Sequence, residues 1–567
     1  MTPGAYGIVP SFSMEPAGDA VFLTDGRNTI RFRDLPKVIR VAEQHLLSSL
    51  QEPGTDRLGN PERPAWFGID TTRRFEAVLW MTFFWFRKIP FVPFSLKNPE
   101  PASLFRPDVL VLTSPETEGN PLITELLSSG SGNPTIAAIH SKDLLQHLGS
   151  GTESNVSDPM LDGPLTDPDI PFCGIATSGS SGRPKRVVLL RGNMMAAARN
   201  AFRDWQRVPA APNANRIEIV DSPGSPINDY LWGNCLPLDH TGGLAIVFRA
   251  LLSGTGIFLW DRFDERTILS DLRTHPGIRR VSLVPTMLKR LLAFGSKHAH
   301  KPPDHLDQVL LGGGPAGGDL ITEARSAGWP VCFSYGMTET CGQIAAQTWI
   351  DVPASSPHPP GAAGRPFPGH ELSIRDAYGR EVAPGGTGLL WIRGPQVFPG
   401  YLDDNRRILP SDSGPDRDGW FDTGDYARLD GQGNLFIEAR RTDLIVSGGE
   451  NVNPVEVEQI LRKFPQVSDA AVIGMGDDEW GQMVVAFIVP NKTEVLSDSV
   501  DSTLDDGKWP AERTKLESSL VKLSAGNLKP HQRPKKYVFT TSIPRTALGK
   551  IERKKLQDKA KGLSGEK

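Results

Sequence analysis

Cysteine is scarce in this chain: Cys173, Cys235, Cys332 and Cys341 are the four among 567 residues, and none sits at CxxC or zinc-ligand spacing. Neither a disulfide framework nor a structural metal site is indicated, and a reducing compartment, the cytoplasm, fits that usage. An excess of charge is also missing. Lys plus Arg number 62 against 66 for Asp plus Glu, a net charge of -4, which gives no general attraction for nucleic acid or an anionic membrane and makes any basic site a local one. The most apolar stretch, 77–86, is followed at once by Arg87 and Lys88. It stops well short of the ~20 residues of a membrane span and predicts a buried helix instead. The opening MTPGAYGIVPSFSMEP has no charged start followed by an apolar core, so no signal peptide is expected. Internal repeats are absent, and so is GxxxxGK[ST], the spacing a P-loop NTPase requires.

What is present has the balance of an ordinary globular protein, 38% hydrophobic and 23% charged. At about 150 residues per domain, the length calls for two or more packed units. The helical spacing of Leu35, Val38, Ile39, Ala42 and Leu46 predicts a helix within 32–50, and 75–87 reads as a second, more buried one. Short apolar runs at 91–94, 217–220, 256–260, 281–284 and 309–311 alternate with helical patterns, which predicts an α/β architecture. Polar and Gly/Pro-rich stretches at 128–134, 149–171 and 355–369 read as loops or joints between subdomains. After about Arg440 the character changes: a Gly-rich turn, a helix at 454–463 and strands at 470–474 and 484–489 predict a small α+β unit. The expected division is a large, multi-subdomain N-terminal domain over 1–440 and a compact C-terminal domain over 441–567.

The densest chemistry lies in Thr177-Ser178-Gly179-Ser180-Ser181-Gly182-Arg183-Pro184-Lys185, directly after the apolar run 172–176. Glycines admit close backbone approach, hydroxyls and amide N–H groups can surround phosphate oxygens, and Lys185 adds a compact positive charge. A Ser/Gly string alone is as readily a flexible turn; the preceding strand and the Pro-Lys ending favour a phosphate loop. Four further motifs follow. Gly312-Gly313-Gly314-Pro315 closes the strand at 309–311. Tyr335-Gly336-Met337-Thr338-Glu339-Thr340 follows another apolar run, and its Glu339 suits Mg²⁺, a hard cation taken by one or two carboxylates together with substrate phosphates. Gly419-Trp420-Phe421-Asp422-Thr423-Gly424-Asp425 ends in a carboxylate, the acceptor suited to a vicinal diol, with Arg440 about 15 residues later. Pro544-Arg545-Thr546-Ala547-Leu548-Gly549-Lys550 places a lysine near Lys554 and Lys555. Taken singly, a tight turn, a surface glutamate and a solvated charge run account for three of these.

Taken together and in this order, the five motifs resemble those of the adenylate-forming superfamily: acyl-CoA synthetases, aryl-CoA ligases, luciferases and the adenylation domains of peptide synthetases. The resemblance covers about 32–554. It implies that Thr177, Ser178, Gly179, Ser180, Ser181, Gly182 and Lys185 wrap the phosphates of ATP, and that Gly312, Gly313, Gly314 and Pro315 lie against the adenine ring. Tyr335 would stack on adenine with Gly336 beside it, Thr338 would reach the α-phosphate and Glu339 would hold Mg²⁺. Asp425 would accept both ribose hydroxyls and Arg440 would touch the ribose. Lys550 would swing in to neutralise charge between the acid and the α-phosphate. The small domain, mobile about Thr442, would then withdraw Lys550 and present Ser447, Gly448 and Gly449 beside a tunnel for the pantetheine arm of coenzyme A. Two positions depart from the pattern: Arg186 stands where glycine is usual, and Thr442 where aspartate or lysine is commonest.

The implied activity is that of an AMP-forming acid–thiol ligase, with a carboxylic acid, ATP and coenzyme A as its partners and no nucleic acid or membrane span. Leu236-Pro237-Leu238-Asp239-His240-Thr241-Gly242-Gly243 resembles the helix start that flanks the acyl pocket, with His240 as the gate residue. LLGGGPAGG, SYGMTETCGQ and RRTDLIVSGGENVNPVEVE are most similar to the o-succinylbenzoate:CoA ligases of menaquinone or phylloquinone biosynthesis, although Asp239 replaces a usual aromatic residue. Such an acid carries a second carboxylate, so the pocket is expected to offer it a cationic or multiply hydrogen-bonding partner. About 17 residues follow Lys550, too few for a carrier domain, and free coenzyme A is the expected acceptor. The alternatives are another aryl- or fatty-acyl-CoA synthetase, a ligase loading a separate carrier protein, and a non-catalytic nucleotide-binding relative. The last is disfavoured because Lys185, Glu339, Asp425, Arg440 and Lys550 are all present.

Overall fold

The computed structural model describes residues 20–49, 65–95, 105, 107–113, 138–140, 167–177, 185–206, 230–316, 318–347, 359, 361–403, 407–409, 414–491, 511–546 and 549–564. The chain divides into two compact units, Met1–Leu372 with Trp391–Asp422, and Ser373–Leu390 with Thr423–Lys567. The boundary expected at Arg440 falls inside the second of these units.

In the first unit the apolar stretch forms the helix Arg74–Phe86, with every residue of 77–86 buried. Its Trp85 ring meets Phe172 edge-on at 5.0 Å, and Phe172 meets Phe248 at 4.5 Å and Phe91 at 5.3 Å. One aromatic cluster thereby joins this helix to the strands Phe91–Phe94 and Pro171–Thr177 and to the helix Thr241–Ser253. Burying each such side chain contributes about 1.5–3 kcal/mol. Two sheets flank these helices. One contains eight described strands, including Pro171–Thr177 and Lys185–Leu190, which pair antiparallel. The other contains nine, with Gly256–Leu259, Leu231–Asn234, Ile278–Leu283, Gln308–Leu311 and Val331–Met337 running parallel through its centre. The apolar runs at 256–260, 281–284 and 309–311 are therefore strands, as their alternation with helices predicts. The run at 217–220 and the stretches at 128–134 and 149–166 lie outside the described residues.

The first predicted helix is Leu35–Ser49, entered through a short 3-10 turn, Phe32–Asp34. The helix that follows His240 ends at Gly254, whose φ of 71° supplies the left-handed cap that other residues adopt only with strain.

The second unit contains the helix Pro454–Arg462, capped by the Asn453 side chain accepting from Val455 N, and the long strands Val467–Asp477 and Gly481–Pro490. These two strands pair antiparallel and Lys536–Phe539 adds parallel to the second. Alternate residues of the pair face opposite sides: Val472, Val484, Ala486 and Ile488 pack with Val457, Leu461, Leu516 and Leu520, while Ile473, Val485 and Phe487 pack with Leu556 and Ala560. Helices thus cover both faces of this sheet. Among the described residues no helix is long and apolar enough to cross a membrane.

Candidate active site

Thr177 and Lys185 are register partners at the end of one antiparallel strand pair. The intervening 178–184, with Ser178, Gly179, Ser180, Ser181 and Gly182, lies outside the described residues. Its two ends are nevertheless fixed: the predicted phosphate segment connects the two strands of a hairpin. Tyr401, in the short strand Tyr401–Leu402, pairs with Val187 on the far side of Lys185–Leu190.

The motifs expected to meet adenine and metal occupy the C-terminal ends of neighbouring parallel strands, where α/β sheets place ligand crevices. Gly312 and Gly313 leave the strand Gln308–Leu311, and Gly313 has a φ of 77°. Gly314 is half-buried and Pro315 exposed. Tyr335, Gly336 and Met337 finish the strand Val331–Met337, and Thr338, Glu339 and Thr340 form the 3-10 turn after it. The chain doubles back at once as Gly342–Ala346, so closely that a Cβ at Gly336 would stand 2.1 Å from Gly342 O. Only glycine fits there. Thr340 Oγ1 accepts from Met337 N at 3.0 Å, and Gln396, fully buried, donates to Thr340 O at 3.1 Å and to Gln343 O at 3.0 Å. The turn is held from below by these bonds.

Glu339 is buried, and its Oε1 accepts from the Tyr401 hydroxyl at 2.9 Å. Lys185 Nζ lies over the ring of the same tyrosine, 4.6 Å from its centre. The predicted phosphate lysine and the predicted metal carboxylate therefore share one neighbour, which sequence reasoning missed. Among the described residues no cluster of three or more His, Cys, Asp and Glu side chains could hold a metal ion alone. A single buried carboxylate, with a lysine on the same tyrosine, suits a cation that arrives with a polyphosphate.

His240 stands at the N-cap of Thr241–Ser253, half-buried, with Asp239 buried before it. Within this apolar helix Arg249 is almost fully buried. Its Nη1 donates to Gln343 Oε1 at 2.6 Å, while Nε and Nη2 have no partner among the described residues. A Cβ on Gly342 would lie 2.8 Å from Nη2, so the guanidinium abuts the strand that pairs with Tyr335–Met337. Burial pushes its pKa down to about 10, which leaves it a cation at neutral pH.

The strand Phe421–Leu429 alternates buried and half-buried residues, and Asp425 takes one of the inward positions. Arg440 faces it across the antiparallel pair, Nε donating to Oδ1 at 3.1 Å. Ser447 and Glu450 are register partners around Gly448 and Gly449, which both have positive φ, 61° and 81°. Such a two-residue turn matches the twist of a hairpin. Ser447 is fully buried and its Oγ has no partner among the described residues. Lys550 is exposed on a tight turn in which Thr546 N donates to Lys550 O at 2.9 Å and Arg545 Nη1 to Gly549 O at 2.9 Å. Arg545 is itself anchored on Asp469 at 2.7 Å. Ala547 and Leu548 lie outside the described residues.

The same segments carry the likeness to known proteins. A family model described as AMP-binding enzyme matches residues 104–402, and that of the AMP-binding enzyme C-terminal domain matches 456–550. The 2-succinylbenzoate–CoA ligase of Enterococcus faecalis is 33% identical over 378 residues, 66% of this chain and 67% of that protein. The corresponding ligase of Bacillus pumilus is 34% identical over 383 residues, 68% of each. The o-succinylbenzoate CoA synthetase MenE of Bacillus subtilis, solved in complex with the acyl-adenylate intermediate OSB-AMP, superimposes with a TM-score of 0.72 at 25% identity, covering 97% of this chain and 98% of that one. Its complex with ATP and a magnesium ion gives 0.71 at 25% identity, covering 97% and 100%. With the motifs in order and both family models matched, the chain belongs to the AMP-binding enzyme family.

Proposed function

We propose that this protein is an AMP-forming o-succinylbenzoate:CoA ligase working in two half-reactions. In the first, a carboxylate oxygen of the acid attacks the α-phosphorus of ATP, and the new O–P bond forms as the bond to pyrophosphate breaks. In the second, the sulfur of coenzyme A attacks the acyl carbon. The C–S bond forms, AMP leaves and the thiol proton passes to water. Attacker and target are both anionic in the first step, so fixed positive charge is the main catalytic requirement.

Each group has a task under this reading. Lys185 and the 178–182 segment bind the terminal phosphates, Thr338 the α-phosphate, Tyr335 and the Gly312-to-Pro315 turn the adenine, and Asp425 with Arg440 the ribose. The inward carboxylate of Asp425, set by the strand alternation, suits two hydroxyl donors. Magnesium, when bound, neutralises phosphate charge, and Glu339 would hold it: this carboxylate is buried beside the phosphate lysine and has one oxygen oriented by Tyr401. Lys550 stabilises the developing charge of adenylation. Thr442, exposed between Arg441 and Asp443, is the pivot that withdraws Lys550, and the Gly448–Gly449 turn lets the thiol arm pass against backbone.

Arg249 is the observation that carries the substrate. A buried guanidinium with two nitrogens unpartnered among the described residues costs several kcal/mol unless an anion meets it. The unactivated carboxylate of o-succinylbenzoate supplies that anion, and a long-chain fatty acid does not. The acid is an intermediate of menaquinone or phylloquinone biosynthesis, and four buried, free cysteines suit a cytoplasmic enzyme. The test is pyrophosphate release across a panel of acids, with and without coenzyme A. Release with o-succinylbenzoate supports the reading, and release only with palmitate or benzoate overturns it.

A further inference from the structure

Lys185 and Glu339 carry opposite charge and contact one ring at different places, the lysine over its face and the glutamate at its hydroxyl. Lys185 Nζ is 4.6 Å from the Tyr401 centroid, and the Tyr401 hydroxyl donates to Glu339 Oε1 at 2.9 Å. The two charges make no ion pair with each other among the described residues. Tyr401 is held by contacts besides these two: its backbone pairs with Val187, its ring meets Phe398 edge-on at 4.8 Å, and it is 7% exposed. Phe398 N in turn donates to Glu339 O at 2.8 Å. The segment 398–401 therefore grips the acidic turn through both backbone and side chain, and grips the lysine strand through its own pairing.

From this geometry we propose that Tyr401 is a positioning residue for nucleotide and metal, acting through Glu339 and Lys185 by two separable contacts. The proposal rests on the adenylating reading of the site. The lysine and the glutamate are each engaged by the tyrosine, at its face and at its hydroxyl, and not by each other among the described residues. Its face holds the ammonium by attraction to the ring quadrupole, a contact an arriving phosphate can outcompete. Its hydroxyl engages one carboxylate oxygen of Glu339 and fixes the carboxylate plane, so that the other oxygen is oriented for the cation. Face and hydroxyl thus serve different partners, and substitution can separate them.

The experiment is calorimetric titration of the full chain with ATP, once in EDTA and once across a magnesium series, for wild type, Tyr401→Phe and Tyr401→Leu. Tyr401→Phe keeps the ring and loses the hydroxyl. It is expected to bind ATP in EDTA as wild type does but to need about tenfold more magnesium for the same gain in affinity. Tyr401→Leu loses both contacts and is expected to bind ATP about tenfold more weakly even in EDTA. A general packing defect would weaken both variants under both conditions. If Tyr401→Phe matches wild type across the magnesium series, or weakens metal-free binding as much as metal-dependent binding, the proposal is overturned, and this variant decides alone should Tyr401→Leu not fold. A wild-type chain that binds no ATP overturns the adenylating reading together with this one. Normal wild-type binding with an unaffected Tyr401→Phe overturns only the role given to Tyr401.

Discussion

Arg440 Nε donates to Asp425 Oδ1 at 3.1 Å across a single antiparallel strand pair, with the carboxylate buried and the guanidinium half in solvent. The arginine fixes one carboxylate oxygen, and the inward-facing carboxylate is the proposed ribose acceptor. Asp425→Asn keeps the shape and replaces a charged acceptor by a neutral one. Hydrogen bonds to a charged group contribute about 1.5–3 kcal/mol, so the KM for ATP should rise by about 10- to 150-fold with a smaller change in kcat. An unchanged KM for ATP would remove the ribose from the role of Asp425.

Lys550 is exposed on a turn anchored by Arg545 and Asp469. Lys550→Ala should cut acyl-adenylate formation by about a hundredfold or more, the size of losing one charge-stabilising group. Thioester formation from pre-made acyl-adenylate should persist. Rapid-quench measurement of each half-reaction checks this, and an equal loss in both would show that the lysine serves something other than adenylation.

Arg249→Met conserves much of the side-chain volume and removes the buried charge. The kcat/KM for o-succinylbenzoate should fall by about a hundredfold or more, since a site built for a polar group rejects what leaves it unpaired. Thermal unfolding should occur at the same or a higher temperature, because a buried cation with nitrogens unpartnered among the described residues is itself destabilising. Equal losses for o-succinylbenzoate and for its ester at the aromatic carboxylate would place the second carboxylate elsewhere.

Thr442 follows Arg441, whose N–H donates to Gly424 O at 2.8 Å. Thr442→Pro fixes φ and removes a donor at the proposed pivot. Adenylation should continue while thioester transfer collapses. Transfer at the wild-type rate in stopped-flow assays would rule out a pivot at this position.

Elements with a strong local pattern were legible before the structure: the buried helix Arg74–Phe86, the strands that lead into the Gly312 and Tyr335 turns, and the α+β unit around Pro454–Arg462. Pairing between distant segments was not. Tyr401 lies 62 residues from Glu339 and carries no periodicity or turn signal, so only the strand Tyr401–Leu402 laid beside Lys185–Leu190 reveals it. Gln396 is hidden for the same reason, because its partners Thr340 and Gln343 are chosen by tertiary packing. Arg249 did leave a signal: one arginine inside the apolar helix sequence GLAIVFRALL, where a charge survives only with a partner. The compact division near Thr423 had no counterpart in composition, since the change of pattern after Arg440 marks a new sheet and not the edge of the unit.

The central claim is that this chain joins o-succinylbenzoate to AMP and then to coenzyme A. The direct measurement is pyrophosphate release by the purified full chain with ATP, magnesium and o-succinylbenzoate, followed by mass spectrometry of the acyl product after coenzyme A is added. Pyrophosphate should appear only when the acid is present, and o-succinylbenzoyl-CoA should form in amounts matching AMP. Acid-dependent pyrophosphate release with palmitate or benzoate but none with o-succinylbenzoate would contradict the account.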